Sequence, residues 1–288
     1  MLGKIRDALK FMEHRPPQPS AVTQQASPVQ PAISPPVIQP FTGNTSETGA
    51  PLSRSPDMIK GNIDHSGHLR LLAKNDPEAV KMSVDALASS RQRLTVAYGD
   101  SEVSGYMTGE GMLDVLTITN NGQNITAYPV FKAGSPWPAR ITRITECENA
   151  LEGQIEVFAS GAALTFFDAM YFRKKHTYTP GKEANVLLAG IAYVIARSRT
   201  QGPNEDDLFV RYEGGDIDDY VFRGTVQGLV ENTAMGRKAF IIKTTVRLGH
   251  EGKSHDFYIC ATASAMQEKI SQGDRISGIV WLQGFVLP

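Results

Sequence analysis

The sequence predicts a mainly β protein whose second half is built from two related β units, and three observations predict it. The stretch Leu164 to Gly190, LTFFDAMYFRKKHTYTPGKEANVLLAG, reads as strand, polar connection, Pro-Gly turn and strand. Asp256 to Gly284, DFYICATASAMQEKISQGDRISGIVWLQG, repeats that order, and its turn glycine Gly273 lies 92 positions beyond Gly181, as Asp256 lies beyond Leu164. Upstream, ARITRITECEN from Ala139 echoes FRGTVQGLVEN from Phe222 at a shorter offset of 83, which a longer hairpin loop around Leu248 to Ser254 would absorb.

Composition bounds the rest. A chain of 288 residues makes one or two folded domains, and 41% hydrophobic with 20% charged residues suits a globular protein diluted by a polar segment. The formal net charge of −1 lacks the basic excess of a typical phosphate binder, so contact with nucleic acid would need a local patch. Two cysteines, Cys147 and Cys260, imply no disulfide framework and point to a reducing compartment. The N-terminus is charged throughout, and the longest apolar run, Val186 to Ala196, is far short of a membrane span of ~20 residues. A soluble, cytoplasmic protein without a transmembrane segment is expected.

In chain order, residues 1–14 form an amphipathic docking helix. Leu2, Ile5, Leu9 and Met12 share one face and Lys4, Arg6, Asp7 and Lys10 the other. So short a helix is marginal alone, which predicts a protein partner for its apolar stripe. Residues 15–61 are Pro-, Gln- and Ser-rich, with no charge from Pro16 to Ser46, and read as a disordered linker. Residues 62–200 carry a helix and the first β unit. Asp76-Pro77-Glu78 opens the helix, and Val80, Val84 and Leu87 give its apolar face. Asn121-Gly122 between Met112–Thr119 and Asn124–Phe131 is a type I′ hairpin signal. Further strands are predicted at 139–147, 153–159, 163–167 and 185–195, and Gly105 to Gly111 reads as turns. Residues 201–219 form an acidic connector with a short edge strand at Leu208, and 220–288 the second unit, with strands near 220–230, 238–246, 255–261 and 276–287.

Each unit has one helical candidate before its last strand: Ala169 to Lys175 capped by Asp168, and Ala265 to Ile270 capped by Ser264. A β-β-β-α-β order with a closing strand resembles an OB-like small barrel, so the fold class is two tandem OB-like units behind a helix, a linker and an N-terminal helix. Such architectures bind oligonucleotides, oligosaccharides or proteins.

The chemistry the sequence offers is sparse. Asp64-His65-Ser-Gly-His68 spaces two histidines for one helical face, but Gly67 and the lack of nearby Cys or His favour a solvated loop. His250, His255 and Cys260 match no common site. The acids Glu205, Asp206, Asp207, Glu213, Asp216, Asp218 and Asp219 lack a calcium-loop pattern and read as solvated. No metal, cofactor or catalytic residue is predicted, and the balance leans away from an enzyme.

The most distinctive residues are Phe167, Tyr171, Arg173, Lys174 and Lys175, because aromatic faces beside cations suit stacked bases and phosphates. Tyr171 and Lys175 are neighbours whether the stretch is strand or helix; the positions 92 further on are Ala263 and Gln267. Trp281 and Ile279 read as core. The function expected is a non-catalytic binding or adaptor protein, most specifically one that binds single-stranded DNA or RNA through the first unit. A protein–protein scaffold is the alternative, and a hydrolase with residues scattered in sequence the third reading.

Overall fold

The computed structural model describes residues 65–108, 111–198, 207–248 and 252–287, together with the backbone of 45–49. The expected docking helix, with Leu2, Ile5, Leu9 and Met12, lies outside the described residues, as does most of the expected linker. Within that linker, Thr45–Gly49 (β1) pairs in parallel with Gln92–Tyr98 (β2). Ser101–Met107 (β3), Leu113–Asn120 (β4) and Gln123–Phe131 (β5) complete a five-stranded sheet in sequence order. The stretch from Gly105, expected as turns, starts inside β3; a Cβ on Gly105 would come within 2.7 Å of the Phe172 ring, so glycine there permits close packing.

The remaining strands are Ser135–Glu146 (β6), Gly153–Ala159 (β7), Ala162–Asp168 (β8), Glu183–Arg197 (β9), Leu208–Arg211 (β10), Asp219–Ala234 (β11), Arg237–Arg247 (β12), Ser254–Thr262 (β13) and Arg275–Val286 (β14). They form one nine-stranded sheet in the order β10-β11-β12-β13-β9-β14-β8-β7-β6, with β11–β14 and β9–β6 pairings that curl it on itself. The same pairing order occurs on both sides of the central β9–β14 pair. On one side β6, β7 and β8 run antiparallel and β6 returns to β9; on the other β11, β12 and β13 run antiparallel and β11 returns to β14. Closure is partial, since β8 meets β14 over two residue pairs and β13 meets β9 over three.

Two cores follow from strand alternation. Along β14, Trp281 and Phe285 face the core shared with the five-stranded sheet, whereas Val280 and Leu282 face the interior of the curled sheet. Trp281 and Ile279 are both buried, as the sequence predicts. Left-handed residue pairs close three hairpins: Asn121-Gly122, Ser160-Gly161 and Met235-Gly236. Asn-Gly announces the first of them in sequence.

Several expectations need correction. Helix α1, Asp76–Ala88, is capped by Asn75, whose side chain accepts from the Glu78 amide, and Asp76 is its first residue. It packs through Ala79, Met82, Ser83 and Ala86, while Val80 and Val84 face outward. Small residues let a helix sit close on a sheet, and that proximity outweighs the larger valines.

The helix expected over 169–175 is a single turn, Tyr171–Lys174 (α2), continued by a 3₁₀ turn at Lys175–Thr177; Asp168 accepts from the Met170 amide before it. The stretch 265–270, also expected as helix, is a turn in which Met266 bridges Ile195. The offset difference is also shared between two places. The β11–β12 ladder runs on to a two-residue turn at Met235-Gly236, where β6–β7 ends at Glu146 and Gly153, and the connection from Arg247 to Ser254 is longer than the Ser160-Gly161 turn. Among the described residues no helix is long and apolar enough to cross a membrane.

Candidate functional site

The densest polar chemistry lies in the core, where three remote segments meet. The β6–β7 connection, Cys147 to Glu152, turns through Ala150 at φ 59°. Asn149 holds the turn: its side-chain oxygen accepts from the amides of Leu151 (2.9 Å) and Glu152 (3.0 Å), and its amide nitrogen donates to Glu152 Oε1 (3.0 Å). The second segment is the entry to a 3₁₀ helix, Ser66–Leu71, which places His65 beside that turn. His65 donates its backbone N–H to Glu152 Oε2 (2.9 Å), and its Nδ1 lies 2.6 Å from the same oxygen. The third is the bend before β11, which brings Asp218 to within 3.5 Å of His65 Nε2.

Asp218 is itself positioned. Gln154 Nε2 and Trp281 Nε1 donate to its Oδ2 at 3.0 and 3.1 Å. The Cys147 thiol completes the group, its sulfur within 4.8 Å of a His65 ring nitrogen and a Glu152 carboxylate oxygen. His65, Cys147, Glu152 and Asp218 are all buried. Phe167 and Trp281 wall the histidine, with ring centroids 4.1 and 5.7 Å away, and His68 stacks on Trp281 at 3.9 Å.

The electrostatics follow from burial and contacts. Burial opposes charge on His65, but its contacts with Asp218, Cys147 and Glu152 outweigh it and hold the imidazole pKa well above its usual value. Burial likewise acts against a charged Asp218, yet the His65 ring and Gln154 hold its carboxyl below the usual range. Burial pushes the Cys147 thiol up, and His65 offsets this in part. An enclosed thiol pushed up by burial is the opposite of an activated nucleophile.

A second cluster flanks the same turn. Glu146 Oε2 accepts from the Tyr171 hydroxyl (3.0 Å) and from Lys175 Nζ (2.7 Å), and Lys175 also donates to the Ala150 carbonyl (2.9 Å). The Tyr171 ring lies against Gly153, where a Cβ would come within 2.6 Å of it. Nearby, Tyr178 donates to the buried Asp168 at 2.5 Å. Burial pushes the Asp168 carboxyl up to about 7, against the opposing bonds from Tyr178 and the Met170 amide.

The sequence-predicted site residues thus fall into three groups. Tyr171 and Lys175 are brought together, with Nζ 5.9 Å from the ring centroid, and both serve Glu146. Phe167 joins the wall around His65, and its ring, like that of Tyr171, is buried. Arg173 is buried and Lys174 half-buried on α2.

His65 and His68 do not lie in a solvated loop, because both are buried. Nor are Asp218 and Asp219 a solvated connector. Asp219, also buried, accepts from the Tyr193 hydroxyl (2.8 Å) and the Asp216 amide (2.9 Å). Asp207 pairs with Arg275. His255 contacts Ser160 Oγ at 2.7 Å and stacks on Trp137, apart from the buried Cys260; His250 lies outside the described residues. Cys147 and Glu152 carried no signal in sequence, since their partner His65 is 87 positions from Glu152. Neither the known protein families nor the curated proteins give a match to this chain.

Proposed function

We propose that the protein is a non-catalytic binding module, built on two OB-like units, that scaffolds a protein partner through the outer face of α1. The observation that carries this reading is the row Val80, Val84 and Leu87, at i, i+4 and i+7 on one helix face. Val80 is 63% exposed and Val84 52%, while the opposite face packs inward through Ala79, Met82 and Ala86. The exposed Lys81–Asp85 ion pair flanks this row, so the helix presents a narrow apolar stripe beside charge, which is more apolar surface than its own fold uses. The partner that fits is an amphipathic helix laid along the row, as in other helix-on-helix recognition.

The test compares affinity purifications with the wild-type chain and with a Val80→Asp/Val84→Asp variant. Exposed positions tolerate substitution within about 0.5 kcal/mol, so the variant should melt with the wild type. A protein held in stoichiometric amount by the wild type and lost from the variant supports the reading. Identical protein sets from both chains overturn it.

Single-stranded DNA or RNA is the second reading, favoured by the consecutive cations Arg173, Lys174 and Lys175. It has less support, because the rings that would stack on bases, Phe167 and Tyr171, are inside the core. Titrating a labelled single strand at two salt concentrations separates the two: salt-dependent binding, weakened by Lys174→Gln, would move the assignment to nucleic acid.

A further inference from the structure

We propose that His65, Cys147 and Glu152 form a binding site for one zinc ion, oriented by the outer carboxylate of Asp218. The claim goes beyond the scaffolding reading and is independent of it. It starts from the donor set. One imidazole nitrogen, one thiol sulfur and one carboxylate oxygen all lie within 4.8 Å of one another on buried residues. A mixed nitrogen, sulfur and oxygen set suits zinc, which takes all three at bond lengths of about 2.0–2.3 Å, while magnesium and calcium take oxygen. The acidic residues alone would not make this site; the thiol and imidazole do.

The surroundings provide a second, independent observation. A histidine that binds a metal through one ring nitrogen commonly donates the other to a carboxylate, which fixes ring orientation and tautomer. Asp218 stands in that position, 3.5 Å from Nε2, on the far side of the ring from Glu152. Asp218 is fully buried, is held through Oδ2 by Gln154 and Trp281, and has no hydrogen-bond partner for Oδ1 among the described residues.

Two carboxylates, both buried, converge on one imidazole. Zinc would bind the Cys147 thiolate and the His65 ring nitrogen without its proton, so both protons leave to solvent and the two charges of the ion replace them. Zinc would replace the hydrogen bond between His65 Nδ1 and Glu152 Oε2, now 2.6 Å, with the two atoms moving apart by somewhat under ~1 Å to the spacing of tetrahedral ligands. Glu152 keeps its bonds from the His65 amide and Asn149 during that change. Three protein ligands leave the fourth position for water. The ion would tie the segment before α1 to the β6–β7 turn and, through Asp218, to the entry of β11.

The experiment uses the full chain. Metal is removed with a chelator, and zinc and then cobalt are titrated back. The expected result is binding of one equivalent, a higher melting temperature with zinc, and a thiolate-to-cobalt charge-transfer band. The chain has two cysteines, so retention of that band in Cys260→Ser assigns it to Cys147, even should Cys147→Ser fail to fold. Asp218→Asn is expected to weaken zinc by ~10–100-fold, as loss of an outer carboxylate does elsewhere. A folded, chelated wild type that takes up neither ion overturns the proposal. So does a cobalt complex without the thiolate band, or zinc affinity unchanged in both Glu152→Gln and Asp218→Asn.

Discussion

The stretches 164–190 and 256–284 share strand, turn and strand, and their turn glycines adopt the same left-handed conformation, with φ of 88° at Gly181 and 87° at Gly273. Between the strands they differ. The first carries α2, which sends Tyr171 and Lys175 onto Glu146; in the second, the corresponding Ala263 and Gln267 lie exposed on a turn. The hairpins upstream differ in the same sense. The β11–β12 ladder runs on to a two-residue turn at Met235-Gly236, whereas the β6–β7 ladder stops at Glu146 and Gly153 and leaves the irregular turn 147–152. The polar chemistry gathers on the side where the regular ladder is cut short. A regular ladder satisfies its own backbone groups, while an irregular turn recruits side chains from elsewhere, and those side chains form the cluster.

The sharpest way to break this comparison is to remove the cation that only the first copy has. Lys175→Met leaves Glu146 buried with the Tyr171 hydroxyl but without the ammonium. Breaking one side of a buried ion pair typically costs ~3–5 kcal/mol. Gln267→Met, its counterpart on an exposed turn, should stay within about 0.5 kcal/mol. Urea denaturation of the two variants tests this; equal midpoints would show that the first copy does not depend on its ion pair.

A second difference appears in pH dependence. Asp168 has Cys260 as its counterpart 92 positions on, and burial pushes that thiol up to about 12, outside the physiological range. Asp168, at about 7 when folded, lies above its unfolded value near ~3.9. Between those values the folded state holds a proton that the unfolded state has released. Stability therefore falls as pH rises from ~4 to ~7, by an amount on the order of 3–4 kcal/mol, and the loss is complete above the folded pKa. Asp168→Asn keeps an acceptor for the Met170 amide and removes the titration. Its unfolding free energy should decline less than that of the wild type between pH 4.5 and pH 8, tested at those ~two end points by urea denaturation. Parallel curves for the two proteins would place the titration elsewhere.

A third comparison lies within the first copy. Tyr171→Phe keeps the ring against Gly153 and removes one donor to Glu146. A hydrogen bond to a charged group contributes ~1.5–3 kcal/mol, so this variant should fall between the wild type and Lys175→Met. A midpoint as low as that of Lys175→Met would mean that the hydroxyl, and not the ammonium, is the main partner of Glu146.

Much of the strand order was legible because alternation and turn residues are local signals. The β7 boundaries match the expected 153–159, and Asn121-Gly122 closes its hairpin as predicted. Tyr171 with Lys175 was legible as a pair because four-residue spacing survives either conformation, but what the pair faces was not. Glu146 lies 25 and 29 positions away. The His65 cluster was illegible for the same reason at longer range. Asp218 looked solvated because it sits in an acidic run, and its burial comes from Gln154 and Trp281, each more than sixty positions distant. The inner face of α1 was misread because hydrophobicity picks out Val80 and Val84, while close packing on a sheet selects alanine and serine.

The smallest predicted effect concerns the two-residue turns. Ser160-Gly161 and Met235-Gly236 both hold a non-glycine residue in the left-handed region, with φ of 50° at Ser160 and 48° at Met235. Type I′ turns need that conformation at both central positions, and asparagine tolerates it best among residues with side chains. Asn121-Gly122 in the five-stranded sheet already has this sequence. Met235→Asn should therefore stabilise the protein by a few tenths up to ~1 kcal/mol, and Ser160→Asn by less, because a short polar residue is easier to accommodate there than an unbranched apolar one. Met235 also packs, half-buried, against the core between the sheets, so the turn gain is set against some lost apolar contact. The net sign distinguishes the two contributions. A higher urea midpoint for Met235→Asn means turn geometry dominates at the tip of the β11–β12 hairpin. A lower one means that Met235 is retained for packing, and that this regular hairpin, like the irregular turn 147–152, is held by contacts beyond its own ladder.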